Sequence, residues 1–404
     1  MRVNTAAVRG VARLAFDAVT NVTDIVEGMH LNISSAPLPL AKPALGRTRG
    51  ITGLVYAAIR NIAGAVGEGV DRLLSLAPAR EEPFSASAKQ EAFLAALNGV
   101  VGDHLEASAN PLALPMRFRS DGIALQLNRE ALAAAFPEAR PKLLIMLHGL
   151  CMNDRQWQRK GHNHGALLAE ELGYTPLYLH YNSGRHISYN GAEFASLMQQ
   201  LHDAWPVKAA EITFLAHSLG GLVARSACHY AARMQHAWLK SLHRIVFLGT
   251  PHHGAPLERG GNQFQALAGI TPYSAPLSRL GMLRSAGVTD LRHGNLLDED
   301  WREHNRFAIH TDTRQLVPLP ADVECFAVAA TTASRRGDLK DRLLGDGLVP
   351  VESALGRHRQ IDRSVAFATE KQSVHLRLNH WDLLSDAGVY RQLRDWLAGP
   401  PRAK

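Results

Sequence analysis

Apolar residues recur along this chain with two different periods. Near the start, Val8, Ala12, Ala15, Val19, Val22, Val26 and Met29 step by four and three. Arg9, Arg13, Asp17 and Asp24 fall on the opposite side, which predicts an amphipathic helix. The same design returns further on. Arg9-Gly10-Val11 is echoed by Arg49-Gly50-Ile51, and Leu14, Val19, Asn21 and Val22 by Leu54, Ile59, Asn61 and Ile62. A Pro-containing stretch from Pro37 to Pro43 separates the two copies. A third helix is expected from Lys89 to about Gly102.

The period changes after Asn110-Pro111. Met116 to Phe118 and Ile123 to Leu127 flank a Ser-Asp-Gly turn and read as a β-hairpin. Short apolar runs then predict strands at Lys142–Leu147, Thr175–Tyr181, Glu211–Ala216, Arg244–Leu248, Glu324–Ala329 and Val365–Ala368. Helices are expected over Gly191–Trp205, from Leu219 to about Ala237, and over Asp386–Leu397. This alternation predicts an α/β domain with a mostly parallel central sheet and helices on both faces. Residues 254–320 break the rhythm and read as an inserted cap. Its Leu257, Phe264, Leu267, Ile270, Leu277, Leu280, Met282 and Leu283 offer an apolar underside or a packing face. The expected organisation is an N-terminal helical extension over 1–110 and a catalytic domain over 111–404.

Composition narrows the classes. Of 404 residues, 46% are hydrophobic and 20% charged, enough apolar material for a large core. Lys and Arg total 44 against 37 Asp and Glu, a net charge of +7. That excess is spread along the chain, without the basic cluster that nucleic-acid binding needs. Cys151, Cys228 and Cys325 show no metal-ligand spacing, and their odd, sparse count suits a reducing compartment. The charged positions among the first thirty interrupt any apolar leader, and no stretch reaches the roughly 18 apolar residues of a membrane span. A cytoplasmic protein is expected. The N-terminal helices leave three roles open: packing on the main domain, pairing as a homo-oligomer, or peripheral contact with a membrane surface.

The chemistry concentrates in a few loops. Ala216-His217-Ser218-Leu219-Gly220-Gly221 lies where a strand ends and a helix begins. A serine in so sharp a turn needs small residues two before and two after it, here Ala216 and Gly220. Its hydroxyl needs a base and its substrate's oxyanion needs donors. The Leu219 amide, at a helix start, is one candidate donor, and the Leu150 amide in Leu147-His148-Gly149-Leu150 is the other. The candidate base is His380 in Asn379-His380-Trp381, with His375 as the competitor. The candidate acid is Asp346, held between Gly345 and Gly347, with Asp338, Asp341 and Asp362 as competitors. His148 reads as a packed turn residue or a proton carrier. His217, His252 and Leu257 are candidate substrate contacts, although His252 and His253 also suit a supporting role in their loop. The stretch Asn182 to His186 is placed to line an entrance.

Taken in order, His148-Gly149-Leu150, Ala216 to Gly221, Gly249-Thr250-Pro251-His252-His253-Gly254, Asp346 to Pro350 and Asn379-His380 resemble the α/β-hydrolase superfamily. Within it they are similar to the esterase and lipase branch that includes bacterial triacylglycerol lipases and inositol-deacylase-like hydrolases. The resemblance spans roughly Arg117 to Leu397. It implies an α/β-hydrolase fold, with Ser218 as nucleophile, Asp346 as acid, His380 as base, and Leu150 and Leu219 as oxyanion-hole amides. It further implies hydrolysis of a small-molecule ester or lipid substrate without a cofactor or catalytic metal. An acyltransferase with the same triad, or a non-catalytic binding or scaffold protein of this fold, are the alternatives. Ala216 replaces the glycine found at that position in many relatives.

Overall fold

A computed structural model of the protein describes residues 9–17, 57, 61, 68, 88–255, 285–303, 314–337 and 345–399. Its contacts divide the chain into two compact units, residues 1–86 with 105–113, and residues 87–104 with 114–404. In the first unit, residues 9–17 are helical. Asn110 and Arg13 tie that helix to the 105–113 segment: Asn110 Nδ2 donates to the Gly10 carbonyl at 3.0 Å, and Arg13 donates to the Ala109 carbonyl at 3.2 Å. Gly10 faces Leu112 so closely that a Cβ there would sit 2.5 Å from Leu112 Cγ. The remainder of the predicted N-terminal repeat, residues 256–284 of the cap, and the competitor acids Asp338 and Asp341 lie outside the described residues.

The second unit is built on an eight-stranded sheet. Its strands are β1 (Arg117–Ser120), β2 (Ile123–Ala124), β3 (Lys142–Leu147), β4 (Thr175–His180), β5 (Glu211–His217), β6 (Leu242–Leu248), β7 (Glu324–Thr331) and β8 (Gln372–Leu376). They run in the order β2-β1-β4-β3-β5-β6-β7-β8. The hairpin β1–β2 turns at Asp121 and Gly122, both at positive φ, and β1 joins β4 antiparallel. From β4 to β8 every pairing is parallel. The central strands read as unbroken apolar runs because helices cover both their faces, and β5 is buried along its whole length. One face packs Leu144, Met146, Leu215, Val246 and Val328 against Leu384, Val389 and Leu393, the last two from the helix Ala387–Ala398.

The strand expected over Val365–Ala368 does not form. Val365 and Phe367 are buried, but in extended chain that docks through side chains, with Phe367 against Phe247 and His252. The edge strand is β8, whose residues pair with β7 from Ala327↔Gln372 to Thr331↔Leu376. The helix expected over Gly191–Trp205 begins earlier, at Ile187, and ends at Ala204 before Pro206. The helix Ala88–Ala107 is broken at Val101. Gly99 and Gly102 flank that break, and each is pressed against a loop at the sheet's C-terminal edge: a Cβ on Gly99 would strike Cys151, and one on Gly102 would strike Asn182.

At the other end of the strands sits a buried ionic cluster. Arg244 of β6 donates to Glu211 of β5 at 2.9 Å and to Glu324 of β7 at 3.4 Å. Tyr174 donates to the same Glu211 at 2.6 Å. Arg244 also reaches the carbonyls of Leu397 and Gly399 at the end of the last helix. The cluster fixes the starts of three strands and one helix end through charge-assisted bonds.

Candidate active site

Parallel strands deliver their C-terminal ends, and the loops that follow, to one edge of the sheet. Ser218 follows β5 there and heads the helix Leu219–Arg233, with φ 55° and ψ −125°. A non-glycine residue held in this region costs about 1–3 kcal/mol and persists only when its surroundings enforce it. They do so here by close approach. A Cβ on Gly220 would lie 2.6 Å from the carbonyl oxygens of both Leu147 and His148, so the turn can be this tight only with glycine at that position. The Ser218 amide is anchored to the Leu248 carbonyl at 2.9 Å.

The loop after β3 runs beside the serine. A Cβ built on Gly149 would come within 3.1 Å of Ser218 Cβ. Leu150 follows, then Cys151 at φ 60°, whose amide donates to Ser183 Oγ at 3.1 Å. Tyr181 donates to the His148 carbonyl at 2.7 Å. The segment after β4, Asn182 to His186, thus braces the loop after β3; Asn182 and Ser183 are themselves buried. The Leu219 amide starts a helix, where backbone N–H groups lack intrahelical acceptors.

Asp346 and His380 meet although they come from separate loops. His380 Nδ1 lies 2.6 Å from Asp346 Oδ2, with both side chains buried. The other carboxylate oxygen accepts from the Leu348 and Val349 amides at 3.0 and 2.8 Å, and the His380 amide donates to the Asp346 carbonyl at 3.0 Å. Gly345 and Gly347 on either side have φ 54° and 97°, the bend that turns the carboxylate inward. A carboxylate at Nδ1 puts the ring proton there and leaves Nε2 as an acceptor. His380 Nε2 is buried and has no hydrogen-bond partner.

The neighbouring imidazoles are neutral. His217 is fully buried beside His380, with ring centroids 4.6 Å apart and its Nε2 3.2 Å from the His380 carbonyl. Burial, then the proximity of His380, drives its pKa well below the ordinary histidine value. His148 stacks on Tyr181 and is pushed down to about 3 by burial. His252 is also buried and depressed, by burial and then by Arg225, while His253 bonds the Gly356 carbonyl through Nε2. His375 sits on β8 with its Nε2 3.1 Å from Ser373 Oγ, and Asp362 lies in a short turn of 3-10 helix. Leu257 lies outside the described residues. His217 and His252 are therefore packed beneath and beside the loops, with almost no surface of their own to offer a ligand.

The strand order, the serine at the turn after β5 and the two loops that follow β7 and β8 make up one architecture. The chain has the α/β-hydrolase fold. Residues 142–322, just under half of the chain, match the family described as PGAP1-like alpha/beta domain. No curated protein matches. Among solved structures, the mature lipase BlEst2 of Bacillus licheniformis aligns at 18% identity over 64% of this chain and 93% of its own, with a TM-score of 0.42. Aspergillus fumigatus lipase B aligns at 12% identity over 70% and 61%, with a TM-score of 0.40. An alpha/beta hydrolase superfamily protein from Enterococcus faecalis aligns at 15% identity over 64% and 90%, with a TM-score of 0.37. Among the described residues, no helix is long and apolar enough to cross a membrane.

Two buried polar residues have contacts that the sequence does not show. Ser183, within the stretch expected to line an entrance, holds the Cys151 amide at 3.1 Å. Arg225 is buried within the helix Leu219–Arg233, three residues after Leu222 on the covered side. A charged residue three positions from an apolar one on a buried helix was the available signal.

Proposed function

We propose that this α/β hydrolase is a serine hydrolase of carboxylic esters, acting through Ser218, His380 and Asp346. The observation that carries the proposal is the pairing of a strained Ser218 turn with an imidazole fixed at Nδ1 by a buried carboxylate and unengaged at Nε2. In this reading His380 Nε2 takes the Ser218 proton as Oγ bonds to the ester carbonyl carbon. The carbonyl oxygen becomes an oxyanion held by the Leu150 and Leu219 amides. Collapse of the tetrahedral species breaks the C–O bond, and the alcohol leaves with the proton from His380. Water then repeats the sequence on the acyl-enzyme, returning the acid and free Ser218. Asp346 holds the tautomer and stabilises the imidazolium without taking the proton. Neutral His217 and His148 suit this role because they set no second positive charge beside the one that forms on His380. The substrate class is a lipid or medium-chain acyl ester, on the strength of the apolar residues in the 254–320 insertion.

The test is labelling of the full chain with a fluorophosphonate probe. Reaction at Ser218, lost together with ester turnover in Ser218→Ala, is the expected result. A chain that neither labels nor turns over a range of acyl chain lengths is a binding protein. One that labels but passes the acyl group only to added alcohol is an acyltransferase.

A further inference from the structure

The candidate oxyanion donor after β3 sits in a run of three consecutive peptides, and a side chain holds each of the three. The Tyr181 hydroxyl donates to the His148 carbonyl at 2.7 Å, which pins the peptide joining His148 to Gly149. His148 Nδ1 lies 2.9 Å from the Gly149 carbonyl. A carbonyl can only accept, so the ring proton is on Nδ1, and this bond pins the peptide joining Gly149 to Leu150. Ser183 Oγ accepts from the Cys151 amide at 3.1 Å, which pins the peptide joining Leu150 to Cys151. The middle peptide carries the Leu150 N–H. Among the described residues that amide has no acceptor of its own.

A peptide is planar and trans, so its N–H points opposite to its carbonyl. His148 therefore sets the tilt of the middle peptide, and Tyr181 and Ser183 fix where its two ends lie. The loop needs such holding. Cys151 is at φ 60°, a conformation that persists in a residue other than glycine only when its surroundings enforce it. The clamping residues are themselves firmly seated. Tyr181 stacks on the His148 ring with centroids 4.3 Å apart, and both Tyr181 and Ser183 are buried. Between them, Asn182 Nδ2 donates to the Gly102 carbonyl at 2.9 Å, its Oδ1 accepts from the Gly184 amide at 3.1 Å, and its carbonyl accepts from Asn190 Nδ2 at 2.9 Å. Among the described residues no hydrogen bond joins Tyr181 or Ser183 to Ser218, Asp346 or His380.

Resting on the ester-hydrolase reading above, we infer that Tyr181 and Ser183 are positioning residues for the oxyanion step. From the loop after β4 they fix both ends of the peptide that presents the Leu150 N–H to the developing negative charge. They touch neither the ester nor the oxyanion. Their effect is felt only as charge builds on the carbonyl oxygen, so they raise kcat and leave KM unchanged.

The experiment compares the full-length wild type, Tyr181→Phe and Ser183→Ala. It measures steady-state hydrolysis of p-nitrophenyl butyrate and the rate of fluorophosphonate labelling at Ser218. Each variant loses one oxygen and adds no atom. Each is expected to lower kcat by about tenfold or more with KM changed by less than about twofold, and to slow labelling by a similar factor. The acid limb of kcat/KM, set by His380, should stay where it is in the wild type. Labelling reads the attack step even if the chosen ester is poorly turned over. Circular dichroism and the unfolding midpoint report the folded fraction. Should Ser183→Ala fail to fold, Tyr181→Phe carries the test alone. Wild-type kcat and labelling rates in folded Tyr181→Phe overturn the inference and leave the ester-hydrolase reading standing. So does a raised KM at unchanged kcat, or a displaced acid limb. A wild-type chain that neither labels nor hydrolyses overturns both.

Discussion

The two ends of the parallel sheet treat buried polar atoms in opposite ways. At the starts of β5, β6 and β7, Arg244, Glu211, Glu324 and Tyr174 spend their polar atoms on one another and on the end of the last helix. At the far ends, His148, His217, His252 and His380 each keep one ring nitrogen buried and unpartnered. Buried polar atoms are normally satisfied, because each one left alone costs about 1–3 kcal/mol. The satisfied end holds strands in place. The unsatisfied end carries a cost that the rest of the fold sustains.

The comparison can be broken most sharply at the unsatisfied end. Ser218→Ala is expected to lower ester turnover by about 10³-fold or more while leaving the fold intact, measured by steady-state kinetics beside circular dichroism. Asp346→Asn should cost about 10³–10⁴-fold in kcat at neutral pH, because the amide no longer enforces the His380 tautomer. Binding of an active-site fluorophosphonate would slow to match, and an unchanged labelling rate would remove Asp346 from the triad.

The satisfied end should respond in the opposite currency. Arg244→Ala leaves buried Glu211 with only the half-exposed Lys142 at 3.8 Å as its cation and should destabilise the chain by about 3 kcal/mol in denaturant unfolding, with kcat of the folded fraction unchanged. A loss of activity without a loss of stability there would undo the division between the two ends.

Acid should find the histidine-rich end first. His148 is pushed down to about 3 by burial, and His164, bonded to the Leu383 carbonyl, to about 4. Unfolding releases both to their ordinary value near 6.5, so below that pH the unfolded chain binds more protons than the folded one. Stability is therefore complete above about 6.5 and falls as pH drops toward the folded values. Each such group should cost roughly 2 kcal/mol at pH 5, read as a fall in unfolding midpoint. The smallest effect belongs to local capping: Asn163→Ala removes the side-chain acceptor at the start of the helix His164–Leu172 and should cost about 1 kcal/mol.

That helix also marks where pattern reading stops. Its apolar face is short, but Asn163 caps its start, and Gly173 ends it at φ 72°. Those two residues were a sufficient local signal, weaker only because nine residues give little periodicity. Val365 to Ala368 failed in the reverse sense. An apolar, β-prone run earns a place in a sheet only if a neighbouring strand offers its edge, and that place beside β7 went to Gln372–Leu376. Burial of Val365 and Phe367 was legible, whereas hydrogen-bond pairing was not.

The chain's own order of residues determined the parallel α/β architecture, because strands buried on both faces must be apolar throughout and the helices between them must alternate. It also marked the tight turn at Ser218, because only small neighbours permit that backbone. What needed the tertiary structure was every relation between distant loops. The 2.6 Å contact of His380 with Asp346, the brace from Ser183 to Cys151, and the bond from buried Arg225 to the Val317 carbonyl all depend on which loops the fold brings together. Local sequence sets dihedral preference and burial; the distance between side chains far apart in the chain is set by strand order and packing, which no local pattern encodes.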